Sequence, residues 1–144
     1  MTRINFAGRL TLIMSFLLSI FFIYTGAFKL ISIDSFRINV SKTGVFSEHV
    51  IIYLPYVLAT VEFGIAVLLI LKPKYGSLLF SFTMLFFTFY ITFLYNNNLY
   101  EICGCGGVLN GLEFKYHLSI NIVVILLSLL MYYGYSIQNQ YIRK

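Results

Sequence analysis

Residues 51–71 read IIYLPYVLATVEFGIAVLLIL, an apolar run interrupted by one charged side chain, Glu62. A helix needs about 20 largely apolar residues to cross the hydrocarbon core of a bilayer. This run is that long, with Pro55 near its start and Pro73 just past its end. Proline is tolerated in a first helical turn and cannot continue a helix beyond its last one. Three further runs have the same character, at 10–28, 76–95 and 118–135, and the third of the four ends at Asn96-Asn97-Asn98. The expected fold is all-α: an integral membrane four-helix bundle forming a single transmembrane domain over residues 1–144.

Composition excludes a water-soluble domain. Hydrophobic residues make up 60% of the chain, charged residues only 10%, and the mean hydropathy is +0.88. Soluble domains carry about 25% charged residues, so the lipid bilayer must be the solvent and the first partner. The net charge of +5 is scattered and forms no basic stripe, which argues against a nucleic-acid partner. Arg3 and Arg9 precede the first run as they would in an export signal. That run is too long, however, and no small-x-small cleavage site follows, so it is expected to be retained. Tyr24, Tyr53, Tyr56, Tyr75, Tyr95, Tyr132, Tyr133 and Tyr135 fall near run ends, as an aromatic belt would. With 12 tyrosines in the chain, chance would place some there.

Four spans put both termini on one side, together with the turn Lys72-Pro73-Lys74. That side carries Arg3, Arg9, Lys72, Lys74, Arg143 and Lys144 and no acid. The other side carries Lys29, Arg37, Lys42 and Lys115, but also Asp34, Glu48, Glu101 and Glu113. Basic loops are held in the cytoplasm, so both termini are expected inside, and the loops at 29–50 and 96–117 outside. The expected location is a bacterial cytoplasmic (inner) membrane, and richness in Ile, Asn, Tyr and Lys hints at an AT-rich bacterial genome.

The second outer loop holds the chain's 2 cysteines, in Cys103-Gly104-Cys105-Gly106-Gly107. Disulfides persist on the oxidising side of a membrane. Three readings compete. In the first, the pair undergoes thiol–disulfide exchange: a Cys-x-Cys disulfide closes a very small, strained and reducible ring. Gly104, Gly106 and Gly107 supply the backbone freedom that such a turn needs and leave the sulfurs open. In the second the pair binds metal, but two thiolates are half of a tetrahedral site, and His117 or a second copy of the chain would have to complete it. No metal site is assigned. In the third, the cysteines are unreactive members of a glycine turn.

Glu62 is the one acid inside a span, and Lys29, at the outer end of the first span, is its natural partner. Intramembrane ionisable groups are costly and usually paired. The pair either pins two helices together or marks a proton or quinone-ring contact beneath the cysteine loop. Counted from Pro55, Glu62 is expected roughly 10 Å below the outer helix end, at about 1.5 Å rise per residue. His117 and Asn121, at the top of the fourth span, are weaker candidates for the same pocket.

The first span ends in Tyr24-Thr25-Gly26-Ala27-Phe28-Lys29-Leu30, a Gly-x-x-Lys-Leu element. Phe36, Leu54-Pro55, Glu62 and the Cys103-Gly104-Cys105 loop follow in that order. From about Leu10 to Met131 this resembles the MauE branch of the DoxX-like membrane proteins. The resemblance implies a bundle similar to the quinone-coupled disulfide-forming membrane proteins, with quinone as the cofactor to consider. It also implies a redox-associated role in methylamine utilisation or in disulfide formation in exported proteins, with a thioredoxin-like exported partner. The chain has one cysteine pair where the disulfide-generating enzymes have two, and Gly106 follows Cys105 where the family commonly has an aromatic. A non-catalytic membrane subunit that docks and stabilises a larger complex is the alternative, with other membrane-complex subunits as its partners.

Overall fold

The computed structural model describes residues 6–100 and 112–142. Five helices follow one another: α1 (Phe6–Ile31), α2 (Ile33–Lys42), α3 (Glu48–Leu71), α4 (Pro73–Asn96) and α5 (Phe114–Ile142). Among the described residues there is no strand. Four helices carry apolar stretches long enough to cross a membrane, at Gly8–Ile31, Glu48–Leu71, Pro73–Asn96 and Phe114–Ser136. The all-α membrane bundle expected from the sequence is the fold. Each helix runs past the bounds that apolarity alone suggests, because polar residues such as Glu48, His49 and Lys115 continue the backbone ladder without extending the apolar run.

The four long helices pack as a ring in the order α1, α3, α4, α5, closing back on α1. Leu18 and Phe22 of α1, Ile65 and Leu69 of α3, Phe80 and Met84 of α4, and Ile125 and Met131 of α5 form one buried cluster. The Phe22 and Phe80 rings lie 4.2 Å apart at its centre. Lipid is as apolar as leucine, so small residues and hydroxyls must help hold helices together in a membrane. Ser81 and Ser128 share a hydrogen bond of 2.6 Å between α4 and α5, and Ser19 Oγ donates to Ala66 O at 3.0 Å between α1 and α3.

Two features correct the sequence reading. The stretch 29–50, expected as a loop, contains α2. Asp34, Arg37 and Lys42 make α2 too polar to look like a span, yet Phe36 and Val40, four residues apart, bury one face against Ile51, Leu54 and Leu58 of α3. Gly44 follows with φ +65, and its N–H bonds Ser41 O, so the chain turns off the helix end at a residue that accepts the left-handed conformation. The second correction is Pro55, which lies inside α3 beyond its first turn. Proline has no N–H for the carbonyl four residues back and pushes its helical turn open. Arg37 Nη2 of α2 donates to the neighbouring Ile52 O at 2.8 Å, so α2 supplies a donor where the α3 ladder is weakened.

At its far end α4 stops in a Schellman turn. Leu99 N–H bonds Leu94 O at 2.8 Å and Asn98 N–H bonds Tyr95 O at 3.1 Å, with Asn98 at φ 58. That turn sends the chain towards residues 101–111.

Candidate functional site

A cavity of about 90 Å³ lies between the central cluster and the α2–α3 cluster. Aromatic rings make much of its wall, among them Phe21, Phe22, Phe36, Phe46, Phe86 and Phe87. Its polar lining comes from Thr25 and Lys29 on α1, Glu62 on α3, Tyr90 on α4, and His117 and Asn121 on α5.

Lys29 and Glu62 meet in that wall. Lys29 Nζ lies 2.8 Å from Glu62 Oε1 and 3.0 Å from Oε2, and the side chains are 4% and 1% exposed. The ammonium also reaches Thr25 O at 3.4 Å and sits 5.5 Å from the centre of the Phe87 ring. Gly26 lets α1 approach this carboxylate: a Cβ there would lie 3.2 Å from Glu62 Oε2 and 3.1 Å from Phe63 Cε1. The Gly-x-x-Lys spacing thus has a steric reason, one that the sequence left unexplained. The depth of Glu62 is corrected. α3 begins at Glu48, not near Pro55, so Glu62 is fourteen residues in (62 − 48), or about 21 Å along the axis. Lys29 reaches it because α1 ends while α3 continues outward another two turns or more, where α2 packs on it.

His117 and Asn121 stand one turn apart on α5 and are both buried. Tyr100 O–H donates to Leu112 O at 2.8 Å and lies 3.0 Å from His117 Nδ1. A phenol has one proton, and the Leu112 carbonyl takes it, so His117 donates from Nδ1 and the neutral ring keeps its lone pair on Nε2. Burial raises the Tyr100 phenol above its usual range, which keeps that proton in place near neutral pH. Phe114 stacks on Tyr95 at 4.0 Å and meets Tyr100 edge-on at 5.4 Å. The chain therefore leaves α4 and enters α5 at one pinned point beside the cavity. Glu101, Cys103, Gly104, Cys105, Gly106 and Gly107 fall between those pinned ends and lie outside the described residues.

Asn121 Nδ2 donates to Thr88 Oγ1 at 3.2 Å, and Thr88 spends its own proton on Met84 O at 2.7 Å. That arrangement fixes the amide orientation and leaves Asn121 Oδ1 buried without a hydrogen-bond partner. Tyr90 OH is likewise buried, with the Thr43 hydroxyl as its polar neighbour; that hydroxyl donates to Val40 O at 2.6 Å and keeps a lone pair that can accept from the phenol. Sequence reasoning missed Tyr90, Tyr100 and Thr88. Tyr90 reads as one more ring in the aromatic run Phe86-Phe87-Thr88-Phe89-Tyr90; its signal was a polar tip well inside a span rather than at its end.

No curated protein and no solved structure matches the chain. The model of one family, described as methylamine utilisation protein MauE, matches residues 7–134. That match covers the first three spans, nearly all of the fourth, the Gly-x-x-Lys element, Glu62 and the cysteine loop, and the chain belongs to the MauE family.

Proposed function

We propose that this protein is a membrane component of thiol–disulfide exchange, in which Cys103 and Cys105 trade a disulfide with an exported thioredoxin-like partner. The observation that carries this reading is the anchoring of the cysteine segment. Tyr100 and Leu112, which bracket it, are hydrogen-bonded to each other, and Tyr100 also meets His117 in the cavity wall. Two thiols one residue apart in sequence can form and give up a disulfide with each other, as exchange with a docking protein requires. The matching family is described as methylamine utilisation protein MauE, and maturation of exported proteins is a task that an exchange protein would serve in that setting.

The exchange itself is balanced. A thiolate of the partner attacks one sulfur of the Cys103–Cys105 disulfide, one S–S bond breaks and one forms, and the partner's second thiol displaces the mixed disulfide. The partner leaves oxidised and this pair leaves as a dithiol, with two electrons and two protons transferred. Lys115 is the basic group close to the segment in sequence that favours a thiolate, while Glu101 and Glu113 oppose it.

The test is alkylation with a mass tag on membranes poised at a series of glutathione potentials. A single two-electron transition of Cys103 and Cys105 is expected. Thiols that stay reduced under every oxidant, or a Cys103→Ser/Cys105→Ser variant with full activity in its host, would sink the exchange reading. A non-catalytic subunit that docks a larger membrane complex would then replace it.

A further inference from the structure

The ring of four long helices closes without α2, yet α2 supplies one wall of the cavity. Phe36 and Val40 of α2, and Phe46 of the connection to α3, line it from that side. Their apolar seat is separate from the central cluster: Phe36 and Val40 pack with Ile51 and against Leu54 and Leu58. The other face of α2 is polar and exposed at Asp34, Ser35, Ser41 and Lys42. A short helix, wet on one side and seated on a small cluster, belongs to the low-stability part of a structure. Both of its ends can turn. Among the described residues, the N-cap Ser32, at φ −107 and ψ 41, makes no side-chain capping bond. Nothing described lies within 4 Å of where a Cβ on Gly44, at φ +65, would be. Polar contacts hold α2 down between those ends. Arg37 Nη2 donates to Ile52 O at 2.8 Å beside the turn that Pro55 weakens, and the guanidinium lies 5.7 Å from the Tyr56 ring. Thr43, at the helix end, offers its hydroxyl lone pair to the Tyr90 phenol of α4. The seat is incomplete, however. Arg37 Nε is buried there without a hydrogen-bond partner, and so is Asn121 Oδ1 in the cavity wall. Closure strands polar atoms that water would satisfy once α2 lifts, which narrows the gap between the two states.

We infer that α2 is a lid on the cavity, pivoting at Ser32 and Gly44 and kept shut by two latches, Thr43–Tyr90 and Arg37–Ile52. Lifting α2 breaks the small seat around Phe36 and Val40 and leaves the central cluster whole. It opens the cavity, with Thr25, the Lys29–Glu62 pair and Asn121 in its wall, to water at the end of the bundle where α2 lies. Entry is then from the aqueous side rather than from the bilayer past Phe86, which lines the cavity and is 66% exposed on the bundle surface. A hinged element of this kind gates a site by its open population. The latches hold different helices, α4 and α3, so loss of either raises that population on its own. The lid requires neither cysteine and stands apart from the exchange reading.

Amide hydrogen exchange of the full-length protein in nanodiscs, read by peptide mass spectrometry, should show α2 exchanging as one unit ahead of α3 and α4. Tyr90→Phe and Arg37→Met should each speed exchange of α2 about tenfold, the effect of one hydrogen bond, and leave the long helices as they were. A small charged thiol reagent reads the cavity itself. In the Cys103→Ser/Cys105→Ser protein, Thr25→Cys in the cavity wall should react at a rate that the latch variants raise by the same factor. Ala66→Cys, in the central cluster at 1% exposure, should stay unreactive throughout. Val40→Cys, on the inner face of α2, reports the same opening should Thr25→Cys fail to fold. A lipid-soluble thiol reagent that labels Thr25→Cys where the charged one does not would put the entrance in the bilayer and overturn the lid. So would an α2 that exchanges as slowly as α3. Latch variants that speed exchange in every helix alike would show merely structural contacts and overturn it as well.

Discussion

Lys29 and Glu62 set the strictest constraint on any single side chain in this bundle. Each charge alone would be prohibitively placed at 4% and 1% exposure. Together they are tolerable because Lys29 donates to both carboxylate oxygens and its ammonium faces the Phe87 ring. Removing one partner is therefore worse than removing both. Glu62→Ala strands a buried ammonium and is expected to destabilise the protein by about 3–5 kcal/mol. Lys29→Met combined with Glu62→Ala should cost less than the sum of the two single changes. Thermal melting in detergent gives the cycle, and strict additivity would show that the two do not interact. These two residues were legible in the sequence because a charge inside an apolar run stands out in one dimension. His117 and Asn121 were legible for the same reason, as polar residues at the edge of a span. Tyr90 and Tyr100 were not: their significance lies in which atoms they reach across the bundle, and an aromatic run conceals that.

Helix pairing depends on one close contact at the turn between α3 and α4. A Cβ on Gly76 would lie 2.5 Å from Leu69 N, 2.6 Å from Leu69 Cα and 2.7 Å from Leu68 C, all of them backbone atoms. Backbone cannot step aside as a side-chain tip can, so α4 would have to move off the end of α3. Gly76→Ala is expected to destabilise by about 1–3 kcal/mol, the usual cost of overpacking. At Gly64, in the middle of α3, a Cβ would meet nothing within 4 Å. Gly64→Ala should be neutral or slightly stabilising, by up to about 1 kcal/mol of helix propensity. Paired melting curves check both, and equal behaviour of the two variants would refute the contact argument. The long helices could be read from the sequence because spanning a membrane demands length and apolarity together. Neither signal was available for α2. It is short and polar, and its burial rests on two residues, Phe36 and Val40, packing on a stretch of α3 that the apolar count had left out. Pro55 misled for a related reason: the sequence showed a helix breaker near an apolar boundary, while the Arg37 that supports the helix there comes from another element.

The whole bundle has two ends of different charge, and the ion pair sharpens the difference. One end gathers the start of α1, the α3–α4 turn and the end of α5; Lys74 lies 5.5 Å from the Tyr132 ring across that end. Its basic residues in sequence are Arg3, Arg9, Lys72, Lys74, Arg143 and Lys144, with no acid among them. At the other end Lys29 drops out of the tally, because it is buried against Glu62 rather than free in a loop. Arg37, Lys42 and Lys115 remain there, against Asp34, Glu48, Glu101 and Glu113. Positive charge holds a loop in the cytoplasm, whereas acids contribute little to orientation. The comparison is thus six cations against three, and it favours both termini inside and the Cys103 segment outside more strongly than the sequence count alone. A membrane-impermeant thiol reagent should then label Cys103 or Cys105 in reduced, intact spheroplasts, with no further labelling on lysis. Labelling that appears only after lysis would reverse the orientation. It would also put the pair in a compartment whose glutathione pool keeps thiols reduced, where a disulfide offered to an exported partner could neither persist nor be reached. Orientation is therefore the property of the whole molecule on which the proposed chemistry depends first.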